Sequence, residues 1–420
     1  MHTPQPTAAS IGWMRFAVLA TPILGVTVFS KFTIPPLGAQ GLDLSLFFLL
    51  LAILTGLSMG FIRLDSGRLT LYVVMIGLLG LIQSLQPDTF SIPSMLLLAG
   101  LHFPYVFSLE RPGDGERMLQ FFIEVVTLCA VLGIGQYGLQ FALSHKVLFP
   151  IESFFPASFT VQHYNAQAAI SYGSSVYRPN GVFMLEPSFF SQVLAVAFIA
   201  ELCTRTRVLR LALFAVALLV SFSGTGVLVL AICLPLYLAT RRRWGLLLAG
   251  AAALVAVAAL HAVLPWGHLF SRLNEFSSTR SSGFARFVGG FYLFDQYLWA
   301  NPWRTLFGYG AGAFADYAPH ARVAVAEMAL FKIVFEFGLL GALLYAGFVF
   351  GCLYPSRAPR LLTVAVAITY CLNGLYASLA HGLALGLILW CPVASRAPSS
   401  ASAAPAPTPA HAPPPREYAT

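Results

Sequence analysis

The sequence predicts an all-α fold, a polytopic integral membrane protein of about twelve transmembrane helices with two long periplasmic loops. Three observations lead there. The 420 residues are 58% hydrophobic and only 10% charged, far from the balance of a water-soluble domain. Apolar runs long enough to cross a hydrocarbon layer of roughly 30 Å recur from end to end. The runs are continuous rather than alternating. Every backbone group in lipid must be paired within the protein, so continuous runs mean helices and not barrel strands.

Five apolar segments come first, near 13–33, 44–62, 69–86, 93–109 and 118–143. Arg63 with Arg68, and Arg111 with Arg117, fall in the short loops between them. A long loop, about 144–180, follows. The next four segments lie near 181–203, 208–221, 224–240 and 244–264, with Arg205, Arg207, Arg210 and Arg241–Arg243 in their short loops. The break around Gly224, in a Ser/Gly-rich stretch, separates two short segments. The second long loop spans about 265–324. The last segments, 325–351, 361–376 and 378–394, are bounded by Arg357, Arg360 and Arg396 and broken at Asn373–Ser378. With twelve spans, all six arginine clusters lie on one side, which their charge assigns to the cytoplasm. Both termini are then cytoplasmic, and both long loops face the other way. Residues 1–395 read as one membrane domain. The Ala/Pro/Ser-rich stretch 396–420 reads as a disordered tail.

Composition also narrows function. The formal charge is +8, but the basic residues flank membrane segments, so nucleic acid is not an expected partner. Six cysteines are scattered through apolar segments without metal-ligand spacing, so neither a disulfide nor a metal site is expected, and no cofactor. No cleavage site follows a short apolar core at the N-terminus, so no cleaved signal peptide is expected.

Against the charge rule, Arg272, Arg280, Arg286, Arg304 and Arg322 all lie in the outward loop 265–324, which contains no lysine. A bound polyanion explains such a cluster, because the planar guanidinium fork suits phosphate. Within this loop Phe287, Phe291, Phe294 and Leu298 recur at helical spacing, which predicts a short amphipathic helix on the membrane surface.

Three stretches could carry chemistry. Arg178-Pro-Asn-Gly181 makes a turn before Glu186-Pro-Ser188 enters the membrane, where a carboxylate is costly and marks a site by default. Ser277–Arg286 gathers hydroxyls with Arg280 and Arg286, a set able to clasp a pyrophosphate. Gly308-Tyr-Gly310-Ala-Gly312 lacks the βαβ setting of a nucleotide loop and instead lets backbone approach a substrate or a helix closely. His320, Arg322 and Glu327 follow it. His320 is a candidate base near neutral pH. Lys332 and Glu336, four apart on a helix, are placed to pair. Tyr164, Asn165, Tyr172, Tyr177 and Asn180 offer the rings and amides that a sugar site needs.

At these stretches the chain resembles the O-antigen ligase and O-antigen polymerase superfamily. The resemblance rests on Arg178-Pro-Asn-Gly181 with Glu186-Pro-Ser188, on Ser282-Gly283 with Arg286, and on Gly308-Tyr-Gly310-Ala-Gly312. It closes on Glu336-Phe-Gly338-Leu-Leu-Gly341, and it covers about residues 175–345. It implies an enzyme of the bacterial inner membrane that transfers glycan from undecaprenyl diphosphate at the periplasmic face, by metal-independent inversion. Arg178 and Arg286 match the arginines that hold the diphosphate, with Arg280 and Arg322 as further candidates. Donor and acceptor are then lipid-linked glycans, with membrane lipid, a chain-length regulator and a flippase as expected partners. Ligases usually carry a histidine nine residues before the glutamate of the last motif. Here that position holds Glu327, and His320 lies seven residues earlier. The base is therefore a carboxylate, Glu327 or Glu186, or else His320 reaching in from a shifted loop. That departure favours a polymerase of O-antigen, capsule or exopolysaccharide over a ligase acting on lipid A core. A transporter or flippase is the competing reading of another class, but the paired, broken halves of many transporters are not visible in the sequence.

Overall fold

The expected succession of apolar helices is what the chain builds. A computed structural model describes residues 8–35, 43–85, 90–109, 115–162, 164–170, 174–245, 248, 279, 281–356 and 358–390. The helices are α1 (Ala8–Thr27), α2 (Ser45–Ser58), α3 (Ser66–Ser84), α4 (Ile92–His102) and α5 (Gly115–Leu139). Next come α6 (Pro187–Cys203), α7 (Val208–Val220) and α8 (Gly224–Thr240), then α9 (Ala329–Leu353), α10 (Arg360–Leu372) and α11 (Ser378–Ala384). Among the described residues, α3, α5 and α9 are long and apolar enough to cross a membrane by length and composition, and eight further apolar helices are shorter. The segment expected at 244–264 and the tail 396–420 lie almost wholly outside the described residues.

Both expected breaks are present. The chain turns at Ser221–Ser223, with Phe222 at φ +47°, between α7 and α8. It turns again between Leu372 and Ser378. The all-α expectation needs one addition: Ile62–Leu64 (β1) pairs antiparallel with Phe107–Leu109 (β2). These residues lie where the chain has left one helix and not begun the next. Their backbone groups have no helical partner and find one in each other.

Helix α6 is the centre of the molecule. Phe190, Val193, Ala197 and Ala200 are fully buried, and α5, α7, α8 and α10 pack around them. The Ser191 hydroxyl meets those of Ser223 and Thr225, each at 3.0 Å, which fixes the α7–α8 turn to α6. The periphery is apolar instead: Leu209, Leu219, Leu343 and Phe350 are largely exposed. A surface of this kind is covered by lipid in an integral membrane protein. One buried amide sets the geometry of the site. Asn373 Nδ2 donates to Gln192 Oε1 on α6 at 2.7 Å, and the Asn373 carbonyl accepts from Ala329 N, the first residue of α9, at 2.8 Å. The starts of α6 and α9 are thereby held beside each other.

The stripe Phe287–Leu298 is helical, as its spacing predicts: two short α-helices, Ser282–Phe287 and Gly289–Leu293, run into a π-helical turn, Phe294–Leu298. Phe294 and Leu298 are buried in a satellite core with Phe314, Phe331 and Phe335. Helical spacing reports an apolar face without saying what covers it, and here α9 covers it rather than lipid.

Candidate functional site

The approach to α6 is a strained turn. Gly181 and Val182 both have left-handed φ, +66° and +71°. A β-branched residue reaches that region only when its surroundings force it. Two contacts hold Val182. Its N–H donates to Asn180 Oδ1 at 3.1 Å, and its carbonyl accepts from the buried Lys31 ammonium. Lys31 is also paired with Glu152. Burial lowers the Lys31 pKa to about 8 in spite of that carboxylate. The turn delivers Glu186 to the residue preceding α6, where the helix dipole favours a negative charge.

Glu186 does not cap its own helix. One carboxylate oxygen accepts from Asn165 N at 3.1 Å. The other accepts from Ser188 Oγ at 2.8 Å and from Arg286 Nη2 at 3.1 Å. Arg286 comes from the second long loop. It sits on the short helix Ser282–Phe287, capped by Ser281 Oγ, and Ala285 O accepts from Ala326 N at 3.0 Å. The loop's return strand thus brings Glu327 alongside. Tyr164 records the convergence. Burial first, then the charges of Asp43, Glu186 and Glu327, push its phenol up to about 12, with Arg286 opposing. The Tyr164 ring also meets Phe189 edge-on at 5.8 Å.

Behind Glu327 lies a charged ladder. The Lys332 ammonium is 3.4 Å from Glu327 and 3.3 Å from Glu336, and its nitrogen is 4.8 Å from the Tyr376 ring centre. The i,i+4 pair expected of Lys332 and Glu336 is therefore formed. Lys332 and Glu336 are buried, whereas the Glu327 side chain is 40% exposed. The glycine run explains the local shape of α9. At Gly338 the helix breaks, with φ +68°, and Gly308 has φ +76°. A Cβ on Gly338 would lie 2.2 Å from Leu306 O, and one on Gly308 would lie 2.4 Å from Glu336 O. Tyr309 N and Gly310 N then donate to Phe335 O and Glu336 O at 2.9 and 2.8 Å. Of the two uses expected for these glycines, close approach to a helix is the one the structure displays.

The other expected site residues are dispersed. Arg178 Nη2 donates to Ile170 O at 2.9 Å within its own loop, eight residues before Glu186. Asn180 is buried and bonded to Gln136 and Ala166 O, so it shapes the loop. The Tyr177 ring stacks on His145 at 5.7 Å, beyond the end of α5. His320 and Arg322 are exposed. His320 Nδ1 contacts Asp316 O at 2.9 Å, its carbonyl accepts from Tyr297 Oη at 3.3 Å, and Arg322 N donates to Gln296 Oε1. Arg304 lies over the Tyr309 ring at 4.7 Å. Arg272, Arg280 and Tyr172 lie outside the described residues.

Lys31, Asp43 and Glu152 were missed by sequence reasoning. Asp43 bonds Ser45 and Ser378, and burial raises its pKa to about 6. The available signal was their isolation, since an ionisable residue between apolar segments needs a partner.

No curated protein and no solved structure matches the chain. Residues 18–377 do match one family model, described as WcaD colanic acid polymerase. That span includes Lys31, both long loops and every residue of the Glu186–Arg286–Glu327 cluster. It extends well beyond the region of the motif resemblance on either side. The chain therefore belongs to the WcaD colanic acid polymerase family, polysaccharide polymerases of the O-antigen polymerase/ligase-type superfamily.

Proposed function

We propose that this protein joins oligosaccharide repeat units carried on undecaprenyl diphosphate, at the periplasmic face of the inner membrane. The carrying observation is the contact between Arg286 and Glu186, which closes one long loop onto the other. Both loops are outward in the twelve-span topology, with both termini cytoplasmic. Residues 1–395 then form the catalytic membrane domain, and 396–420 a cytoplasmic tail.

In this reading the acceptor hydroxyl attacks the anomeric carbon of the donor. The carbon–oxygen bond to diphosphate breaks, and its electron pair leaves on the diphosphate oxygen. Attack from the opposite face inverts the centre. Arg286 receives the charge that grows on the leaving group, and a preorganised donor of this kind carries much of the catalysis in a water-poor site. The acceptor's proton goes to Glu327. Glu327 is favoured over His320 because it follows Ala326, whose N–H bonds Ala285 O beside Arg286, whereas His320 is exposed and held elsewhere. Glu186 holds Arg286 in place until the diphosphate arrives. Tyr164, protonated at neutral pH, can donate to a sugar oxygen.

Polymerase is favoured over ligase by the family match and by Glu327 at the ligase histidine position. The deciding experiment deletes the gene and follows lipid-linked glycan. Single repeat units should accumulate on the carrier. Finished polymer stranded on the carrier would support ligation instead, and coupled uptake by the purified protein in liposomes would support transport.

A further inference from the structure

A cleft adjoins the proposed reaction site. Its volume is about 250 Å³, and Lys31, Glu152, Phe155, Gln162, Tyr164 and Leu185 help to line it. Two of these residues connect it to the chemistry. Leu185 directly precedes Glu186, and Tyr164 feels the charges of Glu186, Arg286 and Glu327.

Its chemistry is unbalanced in a specific way. Glu152 lends one carboxylate oxygen to Lys31. The other, Oε2, is buried and has no hydrogen-bond partner among the described residues. A buried acceptor of that kind costs free energy until a donor meets it. Lys31 already serves Glu152 and the Val182 carbonyl. At the rim, Phe155 is 51% exposed, with its ring edge against Phe32 at 5.3 Å. An acidic acceptor, an amide and two aromatic rings around a small cleft match the hydroxyls and the apolar face of a pyranose. The volume lies below the roughly 300–1,000 Å³ of drug-sized sites, a size for one ring.

Resting on the proposed function, we infer that this cleft is a glycan subsite that seats a neutral sugar of the lipid-linked substrate. Glu152 Oε2 accepts from a sugar hydroxyl, and Phe155 and Tyr164 flank the ring. The Lys31–Glu152 pair balances its own charge and leaves no cation for an acidic sugar, so a uronate is disfavoured.

The test uses the purified full-length protein in nanodiscs, with glucose and glucuronate as probes in saturation-transfer NMR. Transfer to glucose is expected from the wild type, with weaker transfer to glucuronate. Glu152→Ala should weaken glucose binding about tenfold, the loss of one hydrogen bond to a charged group. Phe155→Ala should weaken it as well and leaves the Lys31 pair intact, so it decides the matter if Glu152→Ala fails to fold. Equal transfer in wild type and Phe155→Ala, or preference for glucuronate, overturns the subsite. Arg286→Ala separates the two readings. It should keep glucose transfer while losing polymer. Polymer that persists in Arg286→Ala, with glucose transfer still dependent on Phe155, refutes the diphosphate clamp and leaves the subsite standing.

Discussion

The Glu186 carboxylate and the Arg286 guanidinium meet at 3.1 Å across one hundred residues of sequence. This contact welds a loop before α6 to a loop before α9. In the proposed function, a diphosphate displaces the Glu186 carboxylate from this arginine.

Arg286→Ala should lower polymer yield about 10²–10³-fold, the usual cost of removing one transition-state donor. Arg286→Lys should recover little, since an ammonium keeps the charge and loses the fork. Polymer is measured by gel, with tagged protein in the membrane as control. Undiminished polymer in Arg286→Ala refutes the clamp.

Glu327→Gln should cost roughly 10²–10⁴-fold in rate, the range of general-base catalysis. His320→Gln should stay near wild type. The reverse pattern in initial rates with lipid-linked repeat units transfers the base to His320.

Gly338→Ala should destabilise the protein by at least about 1–3 kcal/mol, because φ is +68° and the new methyl meets Leu306 O. Thermal unfolding in detergent reads this directly. An unchanged midpoint contradicts the tight approach of the loop to α9.

Asp43 should make stability pH-dependent. Its folded pKa, raised by burial to about 6, lies above the ordinary value of 3.8. The stabilisation is complete below that lower value and disappears as pH rises through about 6, by at most about 3 kcal/mol. Asp43→Asn should abolish the dependence and be the more stable form at pH 7. Melting curves taken from below pH 4 to about pH 7 that run parallel for both proteins remove this account.

A reporter fused at residue 300 should be active only if it functions in the periplasm. Cytoplasmic activity there inverts the loops and with them the proposed face of reaction.

Much of the helical frame was legible in hydropathy, and the α7–α8 and α10–α11 breaks in local glycine, serine and asparagine. Glu186, Arg286 and Glu327 were legible as candidates, because ionisable side chains are rare in such a chain. Their meeting was not, since nothing local links positions one hundred apart. Phe294 and Leu298 show the same limit: their periodicity exposed a face, and only tertiary packing chose α9 as its cover. Lys31 and Glu152 lie far apart in sequence, each looking incidental until the fold pairs them.

The break in α9 has a consequence for motion. The carbonyls of Phe335 and Glu336 are taken up by the amides of Tyr309 and Gly310. A helix interrupted at membrane depth must have its freed groups paired, and here the loop supplies the missing turn. Residues 308–310 are therefore mechanically part of α9. Their amide hydrogens should exchange as slowly as those of the helix itself. Any opening that admits a substrate must then hinge elsewhere, at the Arg286 end of the loop, where the Arg286–Glu186 ion pair and the Ala326–Ala285 hydrogen bond hold it.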